Sequence, residues 1–186
     1  PPRSTLFPYT TLFRSRSEIQ RQGRIPFEQL TSTSLLHTAA LGHLHKSGLL
    51  HRDLKPSNII FVHGRPKIAD IGLVSELGES RSFVGTEGFI PPEGPGTPQA
   101  DLYSLGKVLY EASTGKDRLS FPQIPDDWLE LPGHQNLLEF HEVVLKACEG
   151  PVERRYQRDE DMQADLALLQ SRSEEHTSEL QSRLHL

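Results

Sequence analysis

One cysteine, Cys148, is the only thiol in the sequence, so no disulfide can form within the chain, and a reducing compartment suits it. No apolar run approaches the roughly 20 residues that a membrane helix needs, which excludes a helical span. Basic blocks are missing too, so nucleic acid and anionic membrane surfaces are not expected partners of this segment. There is no internal repeat and no low-complexity linker. What remains is a chain of 186 residues, 35% hydrophobic and 24% charged, enough for one globular domain with a real core and short for two. The expected setting is cytoplasmic.

The two ends stand apart. Residues 5–15 (TLFPYTTLFRS) match, codon for codon, the translation of a common DNA-sequencing adapter, and residues 172–182 (RSEEHTSELQS) match another such translation. The competing reading makes the first a strand and the second the tail of a helix. On the adapter reading, residues 1–15 and 172–186 are artefact, excluded from fold reasoning, and the native stretch is 16–171. That stretch keeps 16 of the 20 basic and 22 of the 25 acidic side chains, a net charge of −6.

From Pro26 a helix is expected, since proline suits the first helical position and Leu36, Ala40, Leu41 and Leu44 recur at helical spacing before Gly48. His43 and His45 fall in its last turns, where a solvated or dipole-favoured histidine is the better reading than a metal ligand. After the run HRDLKPSN, the stretch NIIFVHGRPKIAD reads as two short β-branched strands joined by a Gly-containing loop. Pairing Val62 with Pro66 around residues 63–65 sets Asn58 opposite Asp70, so an amide and a carboxylate meet at the open end of the hairpin, where two oxygens can share one magnesium ion.

Residues 70–93 are polar and rich in Gly and Ser, a loop too long to be a mere connection. In DLYSLGKVLYEASTG, apolar Leu102, Leu105, Val108, Leu109 and Ala112 surround much of a helix ended by Gly115, which predicts a helix buried on most sides. Leu137, Phe140, Val144 and Cys148 form one later amphipathic face, and Met162, Leu166 and Leu169 another. On such faces Cys148 and Met162 read as core filler.

The ordered motifs HRDLKPSN, DIG, GTEGFIPPE and DLYSLG resemble the C-terminal lobe of the protein-kinase family over residues 23–170, and the lysine two residues after the motif aspartate looks like the serine/threonine class, with a bacterial type expected. The fold implied is mainly α (α+β), a helical bundle carrying a short β-hairpin. By the resemblance, Asp53 is the catalytic aspartate that accepts the substrate hydroxyl proton, Lys55 steadies the γ-phosphate, and Asn58 and Asp70 ligate magnesium. Ile60 lies beneath adenine. Thr86 contacts the catalytic aspartate and the lysine at the substrate site. Arg52 is placed to meet a phosphate on the loop, with Ser80 or Ser82 as the phosphorylated residue; Glu93 pairs with Arg155, and Asp101 holds the catalytic-loop backbone. ATP and Mg²⁺ are the implied cofactors, and a protein Ser/Thr hydroxyl the implied acceptor.

These residue types suit the chemistry. Phosphoryl transfer passes through a loose transition state with charge on the equatorial oxygens, so it needs metal ligands, a cation and a positioned base more than a nucleophile of the protein's own. Three departures from the family pattern remove no catalytic side chain: Ile71 for the Phe of DFG, Pro91 for the Ala of APE, and Pro151-Val152 where Asp-Pro is frequent. The sequence holds no Gly-rich phosphate loop. It therefore resembles a lobe cut at the hinge of a longer protein and is expected to be inactive alone. Two alternatives stay open: a pseudokinase scaffold, and a small-molecule phosphotransferase of kinase-like fold, against which the GTEGFIPPE segment argues.

Overall fold

The structure, a computed structural model, describes residues 27–62, 65–69, 75–76 and 85–184. Helix α1 spans Phe27–Lys46, α2 Pro98–Thr114, α3 His134–Ala147 and α4 Asp159–Leu184. Two small antiparallel pairs accompany them, β1 (Leu49–Leu50) with β4 (Ser75–Glu76), and β2 (Ile59–Val62) with β3 (Arg65–Ile68). The lobe is thus mainly helical, as expected.

Helix α2 is its axis. Thr97 caps it by accepting the N–H of Ala100 at 3.1 Å, Pro98 opens its first turn, and Gly115 closes it in the left-handed conformation at φ 68°. Leu102, Leu105 and Val108 are wholly buried, and side chains on nearly every face of α2 pack inside the protein. Burying each such side chain contributes about 1.5–3 kcal/mol. Helix α1 packs on α4 and α2, and α3 packs on α2 and α4. The later apolar faces lie where their spacing puts them, with Phe140, Val144, Met162, Leu166 and Leu169 all buried.

Helix α1 follows its expected span but buries a different stripe. Leu36 is 46% exposed, while Leu30, Ser34, His37, Thr38 and Leu41 face inward. The hydroxyls of Ser34 and Thr38 donate to the carbonyls of Leu30 and Ser34 at 2.7 and 2.9 Å, which removes the desolvation cost that their polarity suggests.

The hairpin also differs in register. Val62 pairs with Arg65, Phe61 with Pro66 and Ile59 with Ile68, leaving a two-residue connection, the length whose twist best suits paired strands. Asn58 therefore stands opposite Ala69, whose N–H donates to the Asn58 carbonyl at 2.7 Å, and not opposite Asp70. A second correction falls in the long segment read as loop, where Ser75 and Glu76 pair with Leu50 and Leu49. A two-residue bridge is too short to show a strand pattern.

Helix α4 runs on through residues 172–184, against the expectation that they lie outside the fold; Ser173 is buried and Arg172 reaches Glu139 at 3.2 Å. That stretch contains no Pro or Gly, so nothing in its local chemistry stops the helix.

Candidate active site

Between β1 and β2 the chain makes one strained turn. Arg52 adopts φ 68°, a left-handed conformation that costs a side-chain-bearing residue about 1–3 kcal/mol. The compensation comes from α2, where the buried carboxylate of Asp101 accepts the N–H of His51 at 2.7 Å and that of Arg52 at 2.8 Å. A carboxylate accepting two backbone N–H groups makes strong, charge-assisted bonds. Asp101 also faces His45, whose Nε2 lies 3.0 Å from Oδ2, while the other ring nitrogen meets Asp159 at 2.9 Å. The His51 ring extends the brace, its Nε2 lying 3.2 Å from the carbonyl of Ala69.

This turn delivers Asp53. One carboxylate oxygen meets the Lys55 ammonium at 2.7 Å, and the other accepts the Thr86 hydroxyl at 2.8 Å. Lys55 also donates to that hydroxyl at 3.0 Å, closing a triangle of acid, cation and alcohol. Asn58 donates its amide to the Asp53 carbonyl at 2.8 Å and to the carboxylate at 3.3 Å. Burial pushes the Asp53 pKa up, but the bonds from Lys55 and Thr86, the Lys55 charge and Asn58 together hold it below the usual carboxylate value.

With its NH₂ committed to Asp53, the buried Asn58 amide has its oxygen fixed, and Ser57 Oγ donates to that oxygen over a long 3.4 Å. A hard, oriented oxygen beside a carboxylate suits a magnesium ion. Asp70, Ile71, Ser80 and Ser82 lie outside the described residues. Ile60 lies on β2, its backbone paired with Lys67.

The remaining architectural pair meets at depth. Arg155, with its side chain fully buried, forks onto Glu93, with Nη2 to Oε2 at 2.9 Å, and also donates to the carbonyls of Glu149 and Gly150. Its guanidinium lies 4.8 Å over the Tyr103 ring. The structure thus brings Arg52, Asp53, Lys55, Asn58, Thr86 and Asp101 into one cluster and anchors the segment that follows Thr86 through Glu93 and Arg155.

His45, expected to be solvated or favoured by the helix dipole, is instead enclosed between Asp101 and Asp159 with its side chain 6% exposed, and the sequence assigns no role to His51 or Arg118. His51 stands inside the motif and was open to notice; His45 and Arg118 carry no local signal for the groups they join, Asp101 and Asp159 for the one and Glu87 and Phe89 for the other, which are distant in sequence.

The family model described as "Protein kinase domain" matches residues 7–174. Among curated proteins, the chain is 30% identical over 177 residues to the serine/threonine-protein kinase PknB of Mycobacterium leprae, covering 84% of this chain and 28% of that protein. It is 32% identical to PrkC of Bacillus subtilis over 69% of this chain and 23% of that kinase, and 29% identical to Nek3 of Mus musculus over 72% and 25%. The chain thus spans about a quarter of the length of these relatives. A match across most of the sequence, joined to a fixed Asp53–Lys55–Thr86 triangle, places this chain in the protein kinase family.

Proposed function

We propose that the chain is the catalytic-loop half of a serine/threonine protein kinase that moves the γ-phosphoryl group of ATP to Ser or Thr hydroxyls of proteins, with residues 16–171 as the kinase unit. The relatives' names support the reaction, and the Asp53 cluster carries the reading. Asp53 takes the proton of the acceptor hydroxyl. Its resting pair with Lys55 lowers its basicity, so charge arriving on phosphate oxygens, by drawing the Lys55 ammonium toward them, frees the base when the acceptor needs it. Thr86, bonded to both, keeps the two side chains in register while they exchange partners. Asn58 and Asp70 would hold magnesium, which neutralises charge on the phosphate oxygens.

The test is a radiolabelled-phosphate assay on two forms, the chain alone and the chain joined to its upstream lobe. Nucleotide gripped from one side stays in water, forfeiting the preorganised low-dielectric site, so the chain alone transfers no phosphate. The joined form is active, and Asp53→Ala lowers its rate about 10²–10⁴-fold. Full activity in the Asp53→Ala variant would refute the assignment.

A further inference from the structure

Residues 86–89 leave the catalytic triangle at Thr86 and run directly beneath Arg118, the first residue of a 3₁₀ turn, Arg118–Ser120, after α2. Arg118 Nε donates to the carbonyl of Glu87 at 2.7 Å, and its guanidinium lies 4.7 Å over the Phe89 ring. The guanidinium is itself steered by two carboxylates, Glu111 at 3.5 Å and Asp117 at 3.6 Å. Glu111 further accepts the backbone N–H of Arg118 at 3.0 Å, so both ends of the residue are tied to α2. From the other side, Ser104 on α2 donates to the Phe89 carbonyl at 2.8 Å. Gly88 passes so close that a Cβ there would lie 2.8 Å from Nε and 2.9 Å from Cγ of Arg118, and its φ of 82° independently disfavours a side chain.

The segment that begins on the Asp53–Thr86 bond is therefore held from above by one side chain and from below by another. We propose that Arg118 is a positioning residue for the protein substrate: by clamping residues 87–89 it fixes the surface beside Asp53 on which the acceptor chain lies. This rests on the kinase reading. Among the described residues Arg118 meets Glu87, Phe89, Glu111 and Asp117 and not Asp53, Lys55 or Asn58, so its effect falls on substrate docking and not on phosphate chemistry.

Two measurements decide it. In the full-length kinase, Arg118→Ala raises KM for a protein substrate about tenfold, the loss expected for one charge-assisted hydrogen bond, while KM for ATP and the slow hydrolysis of ATP by water stay within about twofold. Arg118→Lys keeps the cation over Phe89 and lies between, since an ammonium cannot stack and donate in the guanidinium's fixed geometry. An unchanged substrate KM in Arg118→Ala, or an equal fall in ATP hydrolysis, overturns the proposal. The second measurement needs no activity and so separates this inference from the kinase reading. In the 186-residue chain, Arg118→Ala speeds amide exchange at residues 87–90 about tenfold and leaves α2 unchanged. Unaltered exchange at 87–90, or faster exchange throughout α2, defeats the clamp even in a chain that transfers no phosphate.

Discussion

His37 and His45 lie on the same helix, yet the fold pulls their proton affinities apart. Burial alone lowers the pKa of His37 to about 4. At His45 burial acts in the same direction, but hydrogen bonds and charge from Asp101 and Asp159 outweigh it and raise the value to about 9. The folded chain therefore keeps a proton on His45 that the unfolded chain releases above pH 6.5. The stability this adds is complete below that pH and lost as pH rises through about 9. For His37 the sign reverses: its contribution is complete above pH 6.5 and lost as pH falls through about 4. Urea midpoints across pH should peak near neutrality, with an alkaline loss from His45 on the order of 2 kcal/mol. His45→Gln should flatten the alkaline limb and leave the acid limb in place. An alkaline limb of undiminished slope in that variant would show that His45 is not the group responsible. The Asp53 cluster, by contrast, was legible from HRDLKPSN, because its members Lys55 and Asn58 are within a few residues and their spacing is itself the signal.

Elements were readable where hydropathy and burial agree. Helix α2 is apolar around most of its circumference and lies in the core, as its pattern requires. Helix α1 misleads because a hydroxyl bonded to its own helix carries no desolvation cost, so Ser34 and Thr38 occupy the buried stripe while Leu36 faces water. The contact between α2 and the end of α3 hangs on Gly106, where a Cβ would lie 2.6 Å from Cys148 Sγ and 2.9 Å from Ala147 Cβ. Gly106→Ala should destabilise by about 1–3 kcal/mol through overpacking, more than the ~1 kcal/mol that alanine's helix propensity returns. Because the closest atom is the thiol, Cys148→Ala in the same chain should recover part of the loss, read as coupling in a double-mutant cycle of urea midpoints. Strict additivity of the two changes would disprove the contact. Burial also pushes the Cys148 thiol up to about 12, so it packs as a small hydrophobe and stays unreactive at neutral pH.

At the scale of the molecule, the kinase unit proposed at residues 16–171 makes a prediction about the tail of α4. Among the residues of that helix whose burial is described, the last apolar core residues, Leu166 and Leu169, precede residue 172; beyond them Ser173 is buried and the Arg172–Glu139 pair is 57% and 28% exposed. Such a surface pair contributes about 0–1 kcal/mol. Deleting residues 172–186 should lower Tm by no more than about 2–4 °C and preserve a single cooperative transition. Loss of cooperative melting would make the tail part of the fold. By itself the sequence determined the family, the helical character, the buried axis and the motif residues Asp53, Lys55, Asn58 and Asp101, since each follows from local spacing, apolar period or an ordered motif. The tertiary structure alone decided the hairpin register, the stripe that α1 buries, the charged His45 between two carboxylates and the Arg118 clamp. Those depend on which groups meet across dozens of residues, and the free energy of such meetings is set by burial and partner geometry, which no local window of sequence contains.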